Sequence, residues 1–382
     1  MESAQFRLTP AQSAFCAQVR ALAETDLAPL AAAGGAGHVN RPLLAAMGRH
    51  GLLARLFPSS ADHRAEAAAL DLCLLRESLA QVSTEAETAL ALQGLGTYPV
   101  VQNGSEAQIA EWLPRVVAGT AVAGFALSEP GSGSDAASLS LAAVPSPSGD
   151  GWTLTGEKTW ISNAPEADFY SVFARTTADA GSRGVTAFLV PADRPGLSGE
   201  HLDMISPHPI GRLVFDAVPV TRADLLGDVD QGFRVAMRTL DLFRPSVGAF
   251  AVGMAQAALD ASIAHAGRRE AFGGVLKDLQ SVSHSLAEMA TRTEAARLLV
   301  YSAAEAYDTG EKRIAGRSAM AKLFATETAQ FVIDAAVQIH GAVALQHGHL
   351  LEHLYREVRA PRIYEGASEV QRTIIGRELY RG

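Results

Sequence analysis

Phe125-Ala-Leu-Ser-Glu-Pro-Gly-Ser-Gly-Ser-Asp135 packs more small, hydroxyl-bearing and backbone-exposing residues behind an apolar strand than any other stretch of the chain. Gly131 and Gly133 tolerate positive φ and a close ligand, Ser128, Ser132 and Ser134 offer hydroxyls, and successive N–H groups can converge on an anion. From Gly131 to Ala136 the segment also spells the dinucleotide-binding pattern G-x-G-x-x-[GA]. That pattern works only where the turn opens a helix, inside a βαβ unit of ~30 residues with an acidic residue ~20 positions on. The residues that follow, to Asp150, alternate over a short span and are broken by Pro145 and Pro147, so no helix of useful length fits. The segment therefore reads as a ligand-facing loop after a strand, outside any Rossmann unit.

Outward from this loop the texture differs on the two sides. From Val122 to Arg222, short β-rich runs such as Trp152-Thr-Leu-Thr, Phe169-Tyr-Ser-Val-Phe-Ala and Val185-Thr-Ala-Phe-Leu-Val are punctuated by Gly, Pro, Asn and Asp. This spacing predicts a small antiparallel barrel or sandwich. Before it, from about Thr9 to Gln102, apolar positions recur at helical spacing, as in Phe15, Val19, Leu22, Ala23 and Leu27. Pro29 and the glycines from Gly34 to Gly37 are expected to end that helix. A second helix is expected around Leu43 to Leu53, and a longer one or a pair over Ala65 to Leu92. After Gly232 helical periodicity returns, with a kink or helix start expected at Pro245. The fold class is thus α+β multidomain: an N-terminal α domain (1–121), a middle β domain (122–231) and a C-terminal α bundle (232–382).

The chain has 382 residues, 48% hydrophobic and 19% charged, ordinary values for a soluble globular protein of two or three domains. Its net charge of −9 argues against a nucleic-acid surface and gives no attraction to an anionic membrane. Two cysteines, Cys16 and Cys73, make no disulfide framework. The N-terminus shows no apolar signal region, and no apolar run approaches the ~18 residues of a membrane span. The expectation is a cytoplasmic protein with no nucleic-acid or membrane partner.

With the three segments in place, five motifs in order resemble the acyl-CoA dehydrogenase family over about residues 7–380. Phe125-Ala-Leu-Ser-Glu-Pro with Gly133-Ser-Asp is similar to its L-[ST]-E-P…G-S-D segment, and Gly156-Glu-Lys-Thr-Trp-Ile-Ser-Asn163 to its G-x-K-x-W-I-[ST]-N strand. Arg269-Glu-Ala-Phe-Gly273 with Gln280, Gln338-Ile-His-Gly341, and Ile363-Tyr-Glu-Gly-Ala-Ser-Glu369 complete the set. The resemblance implies an FAD-dependent oxidoreductase of acyl-CoA metabolism and β-oxidation, which converts an acyl-CoA thioester to the trans-2-enoyl-CoA. Its electrons would pass to an electron-transferring flavoprotein.

Such a reaction needs a base for the α-proton, an acceptor for the β-hydride and a polarised thioester carbonyl. The resemblance assigns the base to Glu365, whose burial beside an apolar acyl pocket would raise its pKa toward working pH. Its backbone N–H would help hold the thioester oxygen, with Tyr364 and Gly366 beside the substrate. Ser128 would hydrogen-bond the flavin, Trp160 would pack on it and Ser162 would sit near N5, with Phe125, Leu127, Gly133 and Ile161 also on the cofactor. Ser134 would contact both cofactor and substrate. Arg269, Phe272, Gln280 and the Gln338-Ile339-His340-Gly341-Ala342 loop would reach the FAD of a neighbouring subunit, implying a homotetramer built as a dimer of dimers. Ala367 and Glu369 complete the implied cofactor set. Asp241 and Arg244 would line the CoA entrance, though an intrahelical ion pair explains them as well.

Some members place the base immediately before the Arg of an Asp-x-x-Arg run; here that position is Phe243, which leaves Glu365 without a rival. Ala342 and Ala344 stand where the family has glycine, and Ala367 where it has Thr, so loop geometry and one cofactor contact are expected to differ. His347, His349 and His353 lack carboxylate or Cys partners in the sequence pattern, and no metal is expected. An acyl-CoA oxidase, an acyl-carrier-protein dehydrogenase or a non-catalytic flavin-binding relative are the alternatives.

Overall fold

The computed structural model of the chain describes residues 8–57, 68–311 and 314–380. An N-terminal helical domain, a middle β domain and a C-terminal helical domain follow one another, as the changes of texture predict. The N-terminal helices are α1 (Pro10–Leu22), α2 (Ala28–Ala32), α3 (Arg41–Arg49), α4 (Ala69–Ala80), α5 (Thr84–Asn103) and α6 (Glu106–Val117). Thr9 caps α1 through a capping box with Gln12. Pro29 does not end the first helical run: a π turn over Ala23–Leu27 leads into α2, which continues to Ala32. The expected pair over Ala65 to Leu92 is α4 and the first half of α5, with Ala65 to Ala67 outside the described residues.

The middle domain is one seven-stranded sheet, curled as a half-barrel, in the order β1 (Ala123–Ala126), β4 (Phe169–Arg175), β2 (Ala142–Pro145), β3 (Gly151–Ser162), β7 (Ile210–Thr221), β6 (Leu197–His201), with β5 (Val185–Pro191) on β4. Pairing is antiparallel except where β4 meets β1 and β2. The only helical stretch that follows the glycine-serine turn before β2 is a single 3-10 turn, Ala136–Ser138, so the dinucleotide-binding match is one of letters alone.

The C-terminal helices are α7 (Gly232–Arg268), α8 (Gln280–Asp308), α9 (Ile314–His340), α10 (Leu350–Glu357) and α11 (Ser368–Leu379); a small hairpin, β8 (Glu270–Ala271) and β9 (Gly274–Val275), joins α7 to α8. Pro245 lies inside α7, which runs through it with no new helix start. Among the described residues two helical stretches, α7 and Ile314–Leu345, are long and apolar enough to cross a bilayer by length and composition. Neither is an unbroken apolar run, since Asp241 and Arg244 divide α7 and Arg317, Lys322, Glu327 and Asp334 divide the other. The most apolar window of α7 is 72% buried inside the protein, as in a core helix.

Contacts divide the chain into two compact units. One gathers the chain up to Ala28, Ala68–Glu87 and everything from Asp241 onward; the other holds Thr88–Leu240 and the segment beginning at Pro29. In the first unit α4 lacks a side-chain cap of its own, and Asp308 at the end of α8 accepts from Ala69 N (2.6 Å) and Leu70 N (3.0 Å). In the second, Tyr98, Phe169, Phe173, Phe188 and Phe215 are fully buried, and Trp112 packs on Phe169 at 4.5 Å.

Candidate active site

In the sheet unit, the loop after β1 is held by a carboxylate that the sequence reading did not single out. Glu129 is 2% exposed and accepts from Ser140 N (2.6 Å), Ser140 Oγ (2.8 Å), Leu141 N (2.9 Å) and Lys158 Nζ (2.8 Å). Lys158, wholly buried on β3, also donates to the Leu127 carbonyl (2.8 Å). Burial lowers the Lys158 pKa to about 8 against the pull of Glu129. Burial pushes Glu129 up, but Lys158 and the two backbone donors leave it below the ordinary range. Thr159 N donates to Ser128 O (3.0 Å), tying loop to strand a second time. The available signal is Lys158 itself, a lysine at the same alternate positions of the strand as Trp152 and Leu154.

Pinned this way, Glu129 and Ser132 exchange both backbone hydrogen bonds at 3.0 Å, and Ser132 Oγ donates to the Asp135 carbonyl (2.6 Å). Ser132 is buried while Gly131, Gly133 and Ser134 face outward. Neither glycine uses its tolerance of positive φ; the turn closes through the Glu129–Ser132 pairing. Both glycines face open space, where an added Cβ would meet nothing within 4 Å, and that space suits a bound cofactor.

The second element is a bulge in β3. Between Lys158 and Ile161, Thr159 and Trp160 oppose Arg212 alone, so Lys158 and Ile161 turn inward and Trp160 turns out at φ 55°. A tryptophan 48% exposed on left-handed backbone is a feature for a flat aromatic ligand to cover, and the flanking Ser162 is half-buried. Phe125 is half-buried against Phe173 (4.9 Å); Leu127 and Ile161 are buried, which limits their cofactor contacts to backbone or one edge. These residues fit an isoalloxazine.

In the helical unit, Glu365 lies in the loop before α11, with φ 50° followed by Gly366 at φ 93°. Two side chains grip this strained backbone. Lys322, wholly buried on α9, donates to the carbonyls on either side of Glu365, Tyr364 O (3.0 Å) and Gly366 O (2.7 Å). Gln371 Nε2 donates to Gly366 O (2.9 Å) and Glu365 O (3.3 Å). The Glu365 side chain is thereby held with Oε2 buried and without a hydrogen-bond partner. Burial raises its pKa, opposed by the charges of Arg76, Lys322 and Arg244. Lys322 is itself pulled down to about 8 by burial. A half-buried glutamate whose inner carboxylate oxygen is buried and unpartnered, with a raised pKa and fixed backbone, has the attributes of a general base.

Arg76 and Lys322 are not legible as functional from sequence, because each acts through partners far along the chain, and Gln371, five and six residues from its partners, reads as an ordinary helix residue. Arg76 (3% exposed) pairs with buried Glu87 and donates to Ser246 Oγ (2.6 Å). Burial pushes the neighbouring Tyr364 hydroxyl well above its ordinary pKa and keeps it neutral.

For Asp241 and Arg244 the ion pair is observed: Arg244 Nη1 donates to Asp241 Oδ1 (2.6 Å). Arg244 is 7% exposed, and its charge acts on Glu365. Phe243, at the alternative base position, is a core residue at 1% exposure. Arg269, Phe272, Gln280, Gln338 and Ala342 are exposed, Phe272 at 91% and φ 55°; Ile339 is half-buried, and Gly341 ends α9 at φ 69°. The Ala344 methyl is accommodated in the core, whereas that of Ala342 is exposed. Ala367 is the N-cap of α11 and makes no side-chain capping bond, and Glu369 pairs with Arg372 (3.2 Å). Against expectation His347 and His353 do meet carboxylates, His347 with Glu352 (3.2 Å) and His353 with Glu85 (3.5 Å), while His349 caps α10.

Comparison with known proteins bears on these arrangements. The chain matches the family models described as acyl-CoA dehydrogenase N-terminal domain over residues 9–120, middle domain over 124–218 and C-terminal domain over 230–380. It is 36% identical over 380 residues, 98% of this chain and 97% of the relative, to a probable acyl-CoA dehydrogenase, fadE25, of Mycobacterium leprae. A caffeyl-CoA reductase-Etf complex subunit, CarC, of Acetobacterium woodii is 37% identical over 309 residues, 80% of this chain and 81% of the relative. Among solved structures, the FAD complex of PigA aligns with a TM-score of 0.90 at 27% identity, covering 99% of this chain and all of that one (100%).

Proposed function

Because the chain belongs to the acyl-CoA dehydrogenase family of FAD-dependent oxidoreductases, we propose that it removes hydrogen across Cα–Cβ of an acyl-CoA thioester, with Glu365 as the base. The observation that carries this reading is the unpartnered, buried Glu365 oxygen on a backbone gripped by Lys322 and Gln371. FAD, when bound, supplies the two-electron acceptor for the β-hydride. Glu365 takes the α-proton at its carboxylate, and its backbone N–H donates to the thioester carbonyl oxygen, favouring the charge that develops there. With FAD bound, the exposed Trp160 would pack on it and help exclude water, Ser128 and Ser162 would supply hydroxyl donors, and Ser134 would contact cofactor and thioester. Tyr364 and Gly366 flank the substrate, and Arg244 tunes the base.

Anaerobic titration of the purified protein with a panel of straight-chain, branched and ring-bearing acyl-CoA thioesters tests this. At least one should bleach the flavin absorbance stoichiometrically; none doing so would favour a non-catalytic relative. Peroxide formed at the rate of substrate oxidation would make the protein an oxidase, and bleaching only by carrier-bound acyl groups an acyl-carrier-protein dehydrogenase. The proposed electron acceptor is an electron-transferring flavoprotein, in line with the Etf named for the Acetobacterium relative. The exposed Arg269, Phe272, Gln280 and Gln338 suit contact with a neighbour's FAD in a homotetramer, which sedimentation velocity would identify. The proposed location is cytoplasmic, checked by fractionation.

Lys322→Met should raise the acidic limb of the reductive rate to higher pH. Glu365 must be ionised to act, and Lys322 is one of the charges holding its pKa down against burial. Tyr364 O would also lose its lysine donor, at a cost to folding of about 2 kcal/mol. A pH–rate profile unchanged from the parent would remove Lys322 from control of the base.

A further inference from the structure

We propose that His38, Glu166 and His201 form a binding site for a borderline divalent transition-metal cation of the Zn2+ type. Three segments far apart in sequence converge here: the loop before α3, the turn after β3 and the last residue of β6. Glu166 Oε1 lies 2.5 Å from His38 Nδ1 and 3.1 Å from His201 Nε2, and the two rings are 4.4 Å apart at a tilt of 58°. All three ligand atoms fall within 4.8 Å of one another.

Two imidazoles and one carboxylate are a donor set that Zn2+ and its neighbours in the first transition row accept. Nitrogen and oxygen ligands on a tetrahedral Zn2+ stand roughly 3.3 Å apart, so the hydrogen-bonded contacts need to open by less than about 1 Å. The side chains of His38 and His201 are 58% and 38% exposed, so both rings can make that adjustment without disturbing the core, and the open side leaves a position for water. The supporting backbone is fixed. Glu166 N donates to Asn163 O (2.8 Å), Gly37 N to Pro207 O (2.9 Å) and Leu202 N to Ile210 O (2.9 Å). Val39 N donates to the other Glu166 oxygen (2.8 Å) and orients the carboxylate, as hydrogen-bond donors behind the ligands do in metal sites. The neighbouring cation, Arg41, donates to the Glu166 carbonyl (2.9 Å) and is paired with Asp168 (3.0 Å). A bound ion would cross-link the loop before α3 to the turn after β3 and to the end of β6, stabilising this unit by linkage. Because only neutral imidazole ligates, uptake should rise with pH.

Equilibrium dialysis of the FAD-loaded protein against Zn2+ near neutral pH, comparing the parent with His201→Ala and Glu166→Gln, tests the site. The parent should hold a tight equivalent per chain, and each variant should bind at least about tenfold more weakly. Flavin content and acyl-CoA reduction should stay unchanged. Equal uptake by the variants would place the ion elsewhere, for instance at the stacked His265 and His340 (4.2 Å), and overturn the proposal. No tight equivalent in the parent would overturn it as well.

Discussion

Glu365→Gln is expected to yield yellow, FAD-bound protein that no acyl-CoA reduces at an appreciable rate. Glutamine keeps the volume and the backbone hydrogen bonds from Lys322 and Gln371, so the loop should hold its shape. What is lost is the basic oxygen, and removal of a positioned base typically lowers rate by roughly 10^2–10^4-fold. Folding stability should change little or rise, because the carboxylate is desolvated and its Oε2 is unpartnered. Stopped-flow reduction under anaerobic conditions reads the rate, and denaturant unfolding reads the stability. Bleaching at the parent rate would show that another group takes the proton, and the nearest sequence alternative, Phe243, has no proton-accepting atom. The parent's own rate should fall as pH drops through the raised pKa of Glu365, since protonation removes the base.

Glu129→Ala is expected to destabilise the sheet unit by about 3–5 kcal/mol, the cost of stripping one partner from a buried ion pair. The change removes the acceptor of three further hydrogen bonds, from Ser140 N, Ser140 Oγ and Leu141 N, and leaves the Lys158 ammonium at 0% exposure with only the Leu127 carbonyl. The Lys158 pKa, already about 8, would fall further, because Glu129 is the charge that holds it up against burial. Deprotonation of Lys158 would then moderate the loss as pH rises. The loop from Ser128 to Asp135 is built on this pin, so flavin retention should weaken with stability. Urea unfolding that shifts by less than about 1 kcal/mol would mean the loop is held mainly by the Thr159–Ser128 bond and the Glu129–Ser132 bridge.

Glu129 also shows where reading the sequence stops. Ser-Glu-Pro-Gly-Ser-Gly-Ser presents glycines and hydroxyls as the obvious ligand groups, and the carboxylate among them passes as solvent-facing. Its partners lie 11, 12 and 29 positions away, and only the pairing of β3 beside the loop brings Lys158 under it. Trp160 was legible as a motif residue, but its outward turn depends on a bulge defined by the register against β7.

The sequence by itself determined the order of a helical, a β and a helical domain, because hydrophobic period and turn residues are local properties that survive without neighbours. It also carried the motifs whose resemblance to the family names Glu365 as the candidate base and the candidate cofactor residues. Only the tertiary structure decided how those residues are held and tuned. The charge state of Glu365 follows from burial and from Arg76, Lys322 and Arg244, and the cradle's shape from Glu129 on Lys158. His38, Glu166 and His201 meet only because two turns and a strand end converge. These are long-range electrostatic and hydrogen-bonding effects, and no spacing along the chain encodes them.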